Sequence, residues 1–175
     1  MSNLRLKTGV RFGFVSSLLS SMIGLALFFT GLADYSGSTS GWVGTLILIL
    51  VIYLASEDYK KKNNGFMTHS DLVVTSLWMG LVAGLVSAVI VFVHLQLDPD
   101  LFTTQLNRVE ADMENKGMDE ASIEQAMSIT RKMMQPVPMA LMVVFSSFIF
   151  TLILASIMGF FLKKEQGIFD QFDQD

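Results

Sequence analysis

Three long stretches without a charged residue constrain this 175-residue chain more than any other feature. Phe12 to Ala33 carries no charge over 22 residues, Leu72 to Leu97 none over 26, and Met133 to Leu162 none over 30. A hydrocarbon core about 30 Å thick takes about 20 mostly apolar residues in a helix rising ~1.5 Å per residue, so each stretch is long enough to cross a bilayer. A fourth, Trp42 to Ala55, has only 14 strongly apolar residues, although the uncharged surroundings run from Tyr35 to Ser56. It reads as a span accommodated by local thinning or by packing on its neighbours, with Trp42, Tyr53 and Tyr59 near the water boundaries. Composition agrees, since 51% of residues are hydrophobic and 16% charged, against about 25% charged in a soluble domain.

The expected fold is all-α: one membrane domain over residues 1–175, with four transmembrane helices at about 10–33, 39–56, 71–96 and 137–162. An extramembrane amphipathic helical hairpin at about 98–135 joins the third to the fourth, and a short tail covers 163–175. Arg5, Lys7 and Arg11 precede the first span, Lys60, Lys61 and Lys62 follow the second, and Lys163 and Lys164 follow the last. The connection around Asp34 and Tyr35 has no basic residue, and the longer connection has eight carboxylates against four basic groups. The positive-inside rule then puts both termini in the cytoplasm, which requires an even number of spans. Arg5 and Lys7 with Gly31-Leu32-Ala33 also resemble a signal peptide and its cleavage site. The apolar stretch exceeds the usual h-region of about 7 to 15 residues, which favours retention.

Lipid tails are as apolar as leucine, so helix association inside a bilayer depends on close packing through small residues. Four-residue spacing puts Gly9, Gly13, Ser17 and Ser21 on one face of the first span, Gly80, Gly84 and Ala88 on one face of the third, and Ser147, Thr151, Ala155 and Gly159 on one face of the fourth. These are expected packing residues, within one chain or between chains.

Residues 98–137 are too polar to span. Asp98-Pro99 is a helix-start signal, and Phe102, Leu106, Val109 and Met113 follow one helical face. Gly117 ends that helix, and Asp119 caps a second whose Ile123, Met127, Thr130 and Met134 repeat the rhythm before Pro136 and Pro138. The two apolar faces are able to pack on each other, lie on lipid, or receive a partner. The methionines among them suit an adaptable binding surface, yet ordinary core filling is the first reading. Their thioethers fall on different faces with no histidine beside them, so metal capture is not expected.

Chemistry is sparse. The lack of cysteine excludes disulfides, thiolate metal sites and cysteine nucleophiles, and a net charge of −4 gives no reason to expect nucleic acid. No ionisable residue lies mid-span, where a proton relay or ion path would need one. His69, Asp71 and His94 read as interfacial, with Asp71 able to cap the third span, and Glu110 and Glu114 as a solvated acidic face rather than a cation site. Ser16-Ser17, Ser20-Ser21 and Ser146-Ser147 are able to line a polar path, although a serine in a membrane helix also satisfies its hydroxyl on the carbonyl one turn back. Lys60 to Lys62 attract anionic headgroups as well as setting orientation. Nucleotide, dinucleotide, zinc-protease and serine-hydrolase motifs are absent.

The order of short motifs resembles a bacterial membrane family known as domain of unknown function 4199. The likeness rests on the Tyr-rich basic turn after the second span, Gly65-Phe66-Met67-Thr68, Leu97-Asp98-Pro99-Asp100, Gly117-Met118-Asp119-Glu120 and the proline-led last span. The resemblance implies a four-helix architecture in a bacterial inner membrane, and brings no reaction, cofactor or catalytic residue. The expectation is a non-enzymatic scaffold or accessory subunit, without cofactor or metal, whose partners are membrane lipids, another membrane protein or a second copy. The alternative is a small transporter or permease subunit acting as an oligomer.

Overall fold

The computed structural model describes residues 2–30, 38–97 and 100–164. They form six helices and no strand: α1 Ser2–Phe29, α2 Ser38–Lys62, α3 His69–Leu97, α4 Asp100–Asn115, α5 Glu120–Met133 and α6 Pro136–Leu162. The expected cleavage site at Gly31 to Ala33, the Asp98-Pro99 start signal and the tail beyond Lys164 lie outside the described residues, as do the side chains of His94 and Phe102.

Among the described residues three helices, not four, are long and apolar enough to cross a membrane: α2 over Gly41–Lys62, α3 over His69–Val93 and α6 over Pro136–Leu162. The helix missing from the expected four is α1, whereas the short second span qualifies. Of α1 the count covers the stretch from Asn3 to Gly24, which includes Arg5, Lys7 and Arg11, whereas its uncharged part runs from Phe12 to Phe29.

Helices α1, α2, α3 and α6 pack as a four-helix bundle. The broadest contacts are those of α3 with α6 and then with α1; α1 also packs on α2, and α2 touches α6 only slightly. Pairings at Arg5–Asp71, Gly9–Thr75 and Gly13–Met79 run α1 parallel to α3, while Gly80–Thr151 and Gly84–Val144 run α6 antiparallel to it. Val51, Ile52, Ala55, Tyr59, Met67, Leu72 and Met79 form the buried apolar cluster. Large apolar side chains such as Trp42, Leu85, Phe145, Ile157 and Phe161 point outward, a surface too apolar to face water.

The turns follow their sequence. Helix α2 closes through Asn64 and Gly65, both at positive φ, and Met67 and Lys164 exchange two backbone hydrogen bonds of 2.8 Å, tying the approach to α3 to the end of α6. Gly117, at φ +72°, turns the chain between α4 and α5. Asp119 caps α5 by accepting from the Ser122 amide at 2.9 Å, and Pro136 opens α6 after Gln135.

Candidate functional site

Four features of the bundle and hairpin bear on function. The first is an ionic cluster at the end of the bundle where Arg5, Lys60 to Lys62 and Lys164 gather. Thr68 precedes α3 and makes a reciprocal cap: its hydroxyl accepts from the Asp71 amide at 3.1 Å, and its amide and hydroxyl donate to Asp71 Oδ2 at 3.0 and 2.7 Å. The other carboxylate oxygen, Oδ1, accepts from Arg5 Nε at 2.6 Å. Burial disfavours the Arg5 cation, but its polar interactions with Tyr59 and Asp71 more than offset this and hold its pKa above the ordinary value. Tyr59, beside the lysines at the end of α2, turns its ring into the bundle core and is fully buried, and its hydroxyl lacks a well-formed hydrogen bond among the described residues. His69 does not join Asp71; its Nε2 meets the Ser156 carbonyl at 3.1 Å and its ring lies 4.8 Å from that of Phe160.

The second feature is a pair of close helix seams. A Cβ built on Gly9 would stand 2.5 Å from the Thr75 carbonyl oxygen, and one on Gly13 would stand 2.6 Å from that of Met79. On the opposite side of α3, a Cβ on Gly80 would meet Thr151 Cβ at 2.9 Å and one on Gly84 would meet Val144 Cα at 2.9 Å. Ser147 crosses the seam to donate to the Gly80 carbonyl at 3.1 Å. Gly159 makes room for the His69 ring, Ala155 and Ala88 are buried, and Ser21 is half-buried outside both seams.

Ser17 belongs to a third feature, a cavity of about 280 Å³ between the four bundle helices. It is lined by Ser16, Ser17 and Ser20 of α1, Gly41, Gly44, Thr45 and Leu48 of α2, Ala83 and Ser87 of α3, and Ser147 and Phe150 of α6. Of the serine pairs read from the sequence, Ser16, Ser17, Ser20 and Ser147 converge here and Ser21 and Ser146 do not.

The hairpin is the fourth. Leu106, Ile123 and Met127 form a small buried core, with Val109, Met113 and Met134 packed against it. The apolar faces of α4 and α5 therefore meet each other. An open groove of about 730 Å³ beside that core is lined by Glu110, Glu114, Glu120 and Glu124, with Met118, Ser128 and Arg131. Among the described residues no group of three or more His, Cys, Asp or Glu side chains is arranged to hold a metal.

A family model described as "Protein of unknown function (DUF4199)" matches residues 11–164. The chain belongs to that family. No curated protein and no solved structure matches it. In this DUF4199 protein the matched range contains the α3–α6 seam, the cavity and the hairpin, whereas Arg5 and Gly9 precede it. Sequence reasoning missed the Arg5–Asp71 pair. Thr68-x-x-Asp71 is the signal that pointed halfway to it, because a threonine followed three residues later by a carboxylate marks a reciprocal helix cap.

Proposed function

We propose that this DUF4199 protein is a non-enzymatic accessory subunit of a bacterial inner membrane. Its bundle anchors the α4–α5 hairpin on the outer face, where the acidic groove receives a basic segment of another membrane protein. The observation that carries this reading is the groove itself. Glu110, Glu114, Glu120 and Glu124 surround a floor that includes Ile123 and Met127, a combination complementary to a helix with cations flanking an apolar stripe. Because the two apolar faces are used largely on each other, the groove presents carboxylates around a small apolar patch, which suits a partner more than a lipid surface.

Orientation follows on the same reading. Arg5, Lys60 to Lys62 and Lys164 lie at one end of the bundle, so the positive-inside rule makes that end cytoplasmic, together with the segments leading to both termini. The hairpin then faces the other compartment. In-cell photocrosslinking from probes at Met118 and Ser128 tests the role. A single defined partner species is expected, lost when the four groove glutamates are changed to lysine; crosslinks confined to the chain itself or to lipid contradict it.

A second reading, a small transporter subunit working as an oligomer, is favoured by the serine-lined cavity. Against it stands the absence of an ionisable residue from the middle of the spans, because coupling to protons needs a group that changes charge on the path. Movement of a solute across vesicles in proportion to the protein present would establish it.

A further inference from the structure

We propose that the cavity between α1, α2, α3 and α6 is a binding site for a small, uncharged molecule rich in hydrogen-bonding groups, such as a polyol or an amide. The inference goes beyond the hairpin's role and holds whether or not the molecule is carried across the membrane.

Several hydroxyls in these helices follow the rule that a serine or threonine bonds a carbonyl about one turn back, whereas Thr8, Thr75 and Ser76, outside the cavity lining, are buried without a partner among the described residues. Ser56 donates to Tyr53 O at 2.7 Å, Ser156 to Leu152 O at 2.7 Å and Thr45 to Gly41 O at 2.8 Å. Ser16, Ser20 and Ser87 depart from it as well, and these three line the cavity together, their hydroxyls making no hydrogen bond among the described residues. Ser16 is only 4% exposed. Unbonded hydroxyls on two different helices facing one space are satisfied together by a molecule that fills it.

Size and charge narrow the ligand. About 280 Å³ sits at the lower edge of ordinary ligand pockets, roughly 300–1,000 Å³. The lining carries no ionisable side chain, and a charged ligand would be buried there uncompensated. Among the described residues the cavity is more open toward the end away from the lysines. Gly41 and Gly44, near the start of α2, have open space where a side chain would be, whereas Met79, one turn below Ala83 on α3, is fully buried.

The chain has no cysteine, so Ser20→Cys and Ser87→Cys each supply a unique thiol in the full-length protein reconstituted in phospholipid vesicles. With a charged, water-soluble thiol reagent, both should react at least about tenfold faster than Leu18→Cys, an outward-facing position on α1, because lipid suppresses the reactive thiolate. Glycerol or urea at a half-saturating concentration should slow them about twofold and leave Thr104→Cys, exposed on α4, unchanged. Two positions on different helices keep the test decidable if one variant fails to accumulate. Reaction no faster than at Leu18, or a rate that neither glycerol nor urea alters, overturns the proposal.

Discussion

The α3–α6 seam of the bundle and the hairpin are both antiparallel helix packings, and they are held together in opposite ways. At the α3–α6 seam, glycines bring backbones so close that a methyl on Gly84 would stand 2.9 Å from Val144 Cα. In the hairpin no glycine lies at the contact; Leu106, Ile123 and Met127 remove themselves from solvent instead, and Gly117 serves only to turn the chain. The difference reflects the surroundings of each region. In water, burying apolar side chains is itself the driving force, whereas beside lipid it gains little and close backbone approach has to supply the attraction.

Substitutions that swap the two logics should expose this. The largest effect is expected for Gly84→Leu, which puts a branched side chain where even a methyl does not fit; the loss should reach or exceed the upper end of the ~1–3 kcal/mol cost of overpacking. It is read as loss of folded protein in membranes, and unchanged accumulation and thermal stability would argue against a tight seam. Asp71→Asn should follow. Removing one partner of a buried ion pair costs about 3–5 kcal/mol. Here about 2–3 kcal/mol is expected, because the Arg5 side chain keeps 29% of its exposure. Unfolding in detergent at graded denaturant measures it.

Met127→Ala should cost about 2 kcal/mol, within the range for large-to-small core changes, but only in the hairpin. Hydrogen exchange of the full-length protein should quicken in α4 and α5 and stay unchanged in α3 and α6. Equal quickening in both regions would mean that the hairpin is not an independent packing unit.

The smallest effect is the pH dependence of the α5 cap. Hydrogen bonds from the Ser122 hydroxyl and amide hold the Asp119 carboxyl below its ordinary pKa, so the folded state favours the charged form. That contribution is complete above the ordinary aspartate value and is lost as pH falls through the depressed one. Exchange at the first turn of α5 should therefore rise on acidification, and Asp119→Ala should remove the dependence.

Legibility in the sequence divides along the same line. The hairpin was readable almost residue by residue, because its helices are set by local signals: the period of Leu106, Val109 and Met113, the turn at Gly117, the cap at Asp119 and the entry at Pro136. The bundle was readable as an all-α membrane unit, and three of its helices are long and apolar enough to span among the described residues. The convergence of serines was not readable, since sequence spacing puts Ser16 and Ser20 on one face of a helix but does not say what that face meets. The Arg5–Asp71 pair spans 66 positions, and no periodic pattern links residues so far apart. Tyr59 illustrates the same limit, because an aromatic near a lysine run signals a boundary, and only the packing of α2 shows the ring turned inward.

The central claim is that a bilayer separates the basic end of the bundle from the acidic hairpin. Its most direct test uses the cysteine-free chain carrying Glu114→Cys or Lys61→Cys, in sealed membrane vesicles of known sidedness, with an impermeant thiol reagent. The expected result is that the Glu114 position reacts only when the outer face is exposed and the Lys61 position only when the cytoplasmic face is exposed. Reaction of both positions from the same face would contradict the claim.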